Sequence, residues 1–159
     1  MDGEIARAMK TLAHIPDLVA IRVRFAGLTA QDKAAWGSMT VGQMVCHCTD
    51  AYLYCLGERT VAEANAPPIP RSWFKWIALH TPMQWPKGIK SLPEMVQGIG
   101  GTPPTDFATD RVALLHALDR FAEKHRDWPR HPIFGDMTGA DWMRWGYLHS
   151  DHHLRQFGR

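Results

Sequence analysis

The residues best placed to do chemistry lie late in the chain, where three of the nine histidines, His149, His152 and His153, fall within five positions. On a helix, at about 100° per residue, His149 and His153 are about 40° apart on one face and one turn above each other. That is the spacing of metal-ligating imidazoles. The same face carries Trp142, Trp145, Gly146 and Gln156, while Arg144, Asp151 and Arg155 fall opposite, so the pair points inward. Buried imidazoles need a partner for a ring nitrogen, and one cation satisfies two of them at once. A third neutral imidazole from another helix would leave open coordination positions, the pattern of a catalytic rather than a structural ion.

His47 is the best candidate for that third position, because it falls mid-helix at the edge of an apolar stripe. His14, His80, His116, His125 and His131 are expected at element ends, in a long connection or outside the pocket. His152 rivals His153, since positions i and i+3 also converge; otherwise it is a surface histidine or, where its nitrogen reaches the pocket, a general base. Cys46 and Cys48 flank His47, but successive helical residues diverge by about 100°, so neither joins it on one ion and both read as small core residues. Gln156, on the inward side, and Gln43, one turn before His47, are candidates to orient a ligand or substrate, or else to bridge helices.

Other chemistries lack their residues. A carboxylate-bridged di-iron bundle requires inward glutamates and a Glu-x-x-His pattern on two helices, and neither is present. Nor is there a nucleophile elbow, a phosphate loop or a dinucleotide fingerprint.

The elements that must position these residues are helical. Residues 4–26 read as one helix interrupted at Pro16. Thr40 is a candidate N-cap for a helix in which Val41, Met44, Val45, Cys48, Tyr52, Cys55 and Leu56 form an amphipathic stripe. Residues 57–105 hold eight of the eleven prolines and form a long connection, within which Arg71 to Leu79, apolar on nearly every side, makes a short helix packed as a lid. A third main helix runs from Thr109, as N-cap, to Lys124 or His125. The last starts at Thr138, with Asp141 completing a capping box, and ends at Gly158. No segment alternates with period two long enough for a strand. The expected fold is all-α: a four-helix bundle with a long Pro-rich crossover between its second and third helices, which permits up-up-down-down topology.

Composition fits one soluble domain over 1–159. The net charge is +2 with acids and bases interleaved, leaving no basic stripe for nucleic acid. The first residues show no export signal and no run of apolar residues spans a membrane. Three cysteines, Cys46, Cys48 and Cys55, in one short segment do not make a disulfide framework, so a reducing cytoplasm is expected.

Several segments together resemble a known family. They are Trp36-Gly37-Ser38-Met39-Thr40, Gln43-Met44-x-x-His47, Pro132-x-Phe134-Gly135, Trp142, and His149-x-x-His152-His153-Leu154-x-Gln156-Phe157-Gly158. From about residue 17 to 158 the chain resembles the DinB/YfiT-like superfamily of metalloenzymes, and more narrowly a branch of it with no assigned reaction. The resemblance implies a four-helix bundle and a divalent ion, nickel or zinc, held by His47, His149 and His153. Characterised members are thiol-dependent transferases or isomerases that use low-molecular-weight thiols, and a few are hydrolases. The resulting expectation is a metal-dependent enzyme that activates a thiol or water toward a small-molecule substrate. The alternative is a non-catalytic bundle with structural histidines that forms a homodimer, or holds an apolar ligand, through residues 71–79.

Overall fold

The computed structural model describes residues 9–62, 68–88, 96 and 99–159. It contains five helices: α1 (Ile15–Ala26), α2 (Val41–Cys55), α3 (Arg71–His80), α4 (Phe107–Ala122) and α5 (Gly139–Gln156). Among the described residues there is no strand, only an isolated bridge between His131 and Gly135. No described helix is long and apolar enough to cross a membrane.

The two helices that carry the histidine candidates have the most strongly specified starts. At α2, the Thr40 Oγ1 accepts from Gln43 N at 3.2 Å and the Gln43 Oε1 accepts from Thr40 N at 2.8 Å. At α5, Thr138 and Asp141 exchange the same pair of bonds, at 3.1 and 3.0 Å. Each reciprocal box satisfies two backbone N–H groups that the first helical turn leaves without partners.

Two helix starts differ from expectation. Residues 4–8 of the expected first helix lie outside the described residues, as do Pro67 and Pro93 of the connection, and residues 9–14 are not helical. Pro16 begins α1 rather than interrupting it, as suits a residue with no N–H to leave unpaired. Before it the chain is a strap: Leu12 is buried and donates its N–H to the Met143 carbonyl of α5 at 3.1 Å. In α4 the N-cap is Asp106, not Thr109. The Asp106 carboxylate accepts from both the N–H (2.9 Å) and the hydroxyl (2.7 Å) of Thr109, and caps one turn earlier.

α2 packs chiefly on α4, α1 on α4 and α5, and α3 on α5. At Gly146 a Cβ would come within 2.6 Å of Phe121 and 2.8 Å of Leu12, so only glycine lets α5 approach both. α2 meets α5 through a buried Tyr52 to Ser150 hydroxyl bond, the Ser150 hydroxyl in turn reaching Gly146 O at 2.7 Å. The connection after α2 is tied back by buried Asp50, which accepts from Thr102 N at 2.8 Å and pairs with Arg59 at 3.0 Å. α3 is fixed across α5 by charge: Lys75 and His80 both reach Asp141, at 3.2 and 3.1 Å, and Arg144 donates to Leu79 O at 2.9 Å.

Candidate metal centre

His47 projects from the middle of α2, and His149 and His153 from successive turns of α5; all three are buried. The ring centroids are 5.3 Å apart for His47 and His149, 4.7 Å for His47 and His153, and 4.8 Å for His149 and His153. One nitrogen from each lies within 4.8 Å of the others. The closest approach, His47 Nε2 to His149 Nε2, is 3.2 Å. Two imidazole nitrogens on a tetrahedral ion are separated by about 3.3 Å, given bonds of about 2.0–2.1 Å, so this pair already stands at a ligand-to-ligand separation. Burial, followed by the charge each ring would impose on its neighbours, holds the pKa of His149 and of His153 well below the usual imidazole value. Neutral rings keep a lone pair free, as ligation demands.

The tautomer of His153 is set by a residue one turn on. Gln156 Nε2 donates to the Trp36 carbonyl at 2.9 Å, which fixes the amide so that its Oε1 accepts from His153 Nδ1 at 3.1 Å. The proton is thereby held on Nδ1, and Nε2 presents its lone pair to the cluster. The loop before α2 locks this arrangement, with Ala35 N donating to Gln156 O at 2.8 Å. Gly37 has φ +78°, and a Cβ there would stand 2.8 Å from Gln156 Nε2, so the glycine serves both the turn and the amide. Gln156→Leu, close in volume but unable to accept, is expected to weaken zinc binding by about 10–100-fold with the fold intact. Competition titration against a chromophoric chelator measures this, and an unchanged affinity would show that the amide does not orient the ring.

The cluster forms the floor of a cavity of about 420 Å³. Its walls come from α3 (Phe74, Ile77), from Trp85, from the 132–134 turn, and from Trp142 and Trp145 of α5. Among the described residues no Asp, Glu, Lys or Arg lines it. His149 Nδ1 has no hydrogen-bond partner among the described residues, and the ring stacks on Trp145 at 4.8 Å and 14°.

Other candidates are placed as follows. His152, expected at the surface, is buried and lines the cavity, with its ring 5.2 Å from His153 and between Trp36 (6.0 Å) and Trp85 (6.3 Å). Burial first, then Arg155, lowers its pKa. Gln43 uses its side-chain oxygen in the α2 capping box and does not line the cavity. Cys46, Cys48 and Cys55 are buried free thiols. Burial, reinforced by Asp110 and Asp50, pushes the Cys46 thiol up to about 12, so it is not a ready nucleophile.

His131 corrects an expectation: placed outside the pocket from sequence, it is buried in the cavity wall. The signal was His131-Pro132-Ile133-Phe134-Gly135, whose turn closes on itself through His131 N to Gly135 O (2.8 Å) and Gly135 N to His131 O (2.9 Å) and so folds the ring inward.

These features define an all-helical domain in which a buried three-histidine group, able to hold a metal ion, faces an apolar cavity. A family model described as a protein of unknown function (DUF1569) matches residues 9–159, and the chain belongs to that family. No curated protein and no solved structure matches it.

Proposed function

We propose that the protein is a metal-dependent enzyme with His47, His149 and His153 as ligands of a divalent ion, zinc or nickel, acting by thiol transfer or hydrolysis on a small apolar substrate. The observation that carries this is the convergence of three buried imidazoles, one with its tautomer fixed by Gln156, on the floor of a cavity large enough for a small molecule. When bound there, the ion supplies the Lewis acidity that lowers the pKa of a water or thiol brought to it. The chain's own residues do the rest. The apolar walls exclude bulk water, which strengthens every electrostatic contact inside. His152 is neutral, and its Nδ1 is shut from solvent without a partner, so Nε2 is the nitrogen that takes a proton from the nucleophile. The proposal extends to the fold: α1, α2, α4 and α5 as an up-up-down-down four-helix bundle of the DinB/YfiT-like kind, with α3 in the crossover. Its support is the packing of α1 on α4 and α5, of α2 on α4, and the α2 to α5 side-chain bonds. Buried free thiols fit a reducing, cytoplasmic setting.

The test is a panel of low-molecular-weight thiols with an activated aryl halide, and of p-nitrophenyl esters with water. Turnover is expected to fall at least about tenfold on chelation and to return with zinc or nickel. Turnover indifferent to chelation excludes this function.

The second reading is a non-catalytic bundle dimerising through α3, and one observation favours it: Trp73 and Trp76 are 70% and 59% exposed on that helix. It also requires the buried imidazoles to be satisfied by protein. His149 Nδ1 and His152 Nδ1 have no protein partner among the described residues, so the protein does not meet that requirement in full.

A further inference from the structure

Two histidines line the cavity outside the proposed ligand set, His152 and His131, and the backbone holds the second of them in place. His131 Nδ1 accepts two backbone N–H groups, those of Ile133 and Phe134, each at 3.1 Å. A nitrogen that accepts two donors carries no proton, so the neutral ring bears its hydrogen on Nε2. Burial, helped by the nearby Arg71 charge, drops the pKa to about 3, and the ring is neutral across the working range. The ring cannot swing: it stacks on Phe134 (4.5 Å, 25°) and abuts Trp142 (5.3 Å) and Trp145 (5.7 Å). Arg71 clamps the turn to α3, donating to Pro132 O at 2.9 Å and Ile133 O at 2.7 Å. His131 Nε2 has no protein partner among the described residues and is not among the atoms sealed from solvent, in a residue that lines the cavity. The cavity wall therefore contains an N–H donor held in place by the backbone. Trp145 lies between it and the cluster, edge-on to His131 and stacked on His149.

The surrounding wall limits what that donor can meet. With no Asp, Glu, Lys or Arg among the described residues that line the cavity, a carboxylate or ammonium on the substrate body would be desolvated without compensation. An aromatic or aliphatic body loses nothing on entry, and an oxygen acceptor on it answers the orphan N–H. Building on the metal-dependent activity above, we propose that His131 is a substrate-binding residue whose Nε2–H donates to a carbonyl oxygen of an uncharged, largely apolar substrate, orienting it over the three-histidine floor. A preorganised neutral imidazole N–H in a dry site polarises a carbonyl without transferring a proton.

The probes are acetophenone and ethylbenzene, matched in shape and differing in the carbonyl, titrated calorimetrically into the protein as purified. The ketone is expected to bind about fivefold more tightly, the weight of one net hydrogen bond. His131→Asn keeps an acceptor for the Ile133 and Phe134 N–H groups but loses the Nε2 donor, and is expected to abolish the preference. His131→Gln places an amide N–H near the Nε2 position and is expected to restore part of it. Bound zinc is measured on the same samples. A ketone preference that survives His131→Asn, in protein whose zinc content is unchanged, overturns this proposal and leaves the metal reading standing. Absence of zinc from the wild type, with the preference present and lost in His131→Asn, overturns the metal reading and leaves this one.

Discussion

Protein purified without a metal-binding tag is expected to contain about one equivalent of divalent metal, and His149→Phe or His153→Ala to contain almost none. His149→Phe is the sharper substitution. It keeps a ring stacked on Trp145, from which His149 lies 4.8 Å away, while deleting both nitrogens. One of those, Nδ1, is buried without a partner, and an orphaned buried polar atom costs about 1–3 kcal/mol. Its removal offsets the loss of the 3.2 Å contact between His47 Nε2 and His149 Nε2, so the chelated variant is expected to stay close in stability to chelated wild type. Metal separates the two. An ion that binds only the native state, at about 1,000 times its dissociation constant, stabilises by about 4 kcal/mol, so wild type gains a large rise in melting temperature with zinc and His149→Phe gains none. Elemental analysis and paired melting curves, with and without chelator, check both halves. Structural histidines would give the opposite pattern: little metal in the wild type, and a substitution that destabilises whether or not chelator is present.

Metal-free protein is expected to lose its fold in mildly acidic solution. His131, at about 3, and His149 and His153, well below the ordinary value of 6.5, all resist protonation while buried. Above pH 6.5 these rings are neutral in both folded and unfolded chains and cost nothing. As pH falls below that value the unfolded chain binds protons first, and by linkage stability declines with falling pH. For His131, with its folded-state value of about 3, the loss is about 2 kcal/mol by about pH 5 and continues until that value is reached; His149 and His153 add losses of the same sign. The His131 loss alone is a sizeable part of the stability of a small domain, about 5–15 kcal/mol. Urea midpoints measured from pH 7.5 to 4.5 are expected to fall steeply below pH 6.5, and a flat profile would mean that these rings titrate normally in the native state. Zinc shifts the fall to lower pH, since the ion must be displaced before the cluster protonates.

The sequence was most legible where local chemistry decides the structure. Apolar periodicity and a Thr cap located α2, a capping box located α5, and the i, i+4 spacing of His149 and His153 put both on one face. It was least legible where distant segments decide. His152 looks like a surface residue on its own helix and becomes a wall residue because Trp36 and Trp85 arrive from two other parts of the chain. His131 depends on a five-residue turn curling back on itself and on Arg71 clamping it to α3. Gln43 was open to local reasoning, because Thr40-x-x-Gln43 is a capping box in its own right and accounts for the side-chain oxygen without any site. The Leu12 strap has apolar residues at helical spacing and so reads as part of the first helix, yet the Leu12 N–H is taken by the Met143 carbonyl of α5.

The Trp36 to Gln156 bond joins residues 120 positions apart, and the His47 to His149 contact joins residues 102 apart. Closing loops of that length is entropically costly and slow compared with forming any one helix. α5 can present His149, His153 and Gln156 as soon as it coils, but the third imidazole and the Trp36 carbonyl that fixes the Gln156 amide arrive only when the two halves of the chain have met. Occupancy of the cluster is thus a record of completed topology: an ion held by all three rings certifies that the α2 half, the α5 half and the loop before α2 are in register.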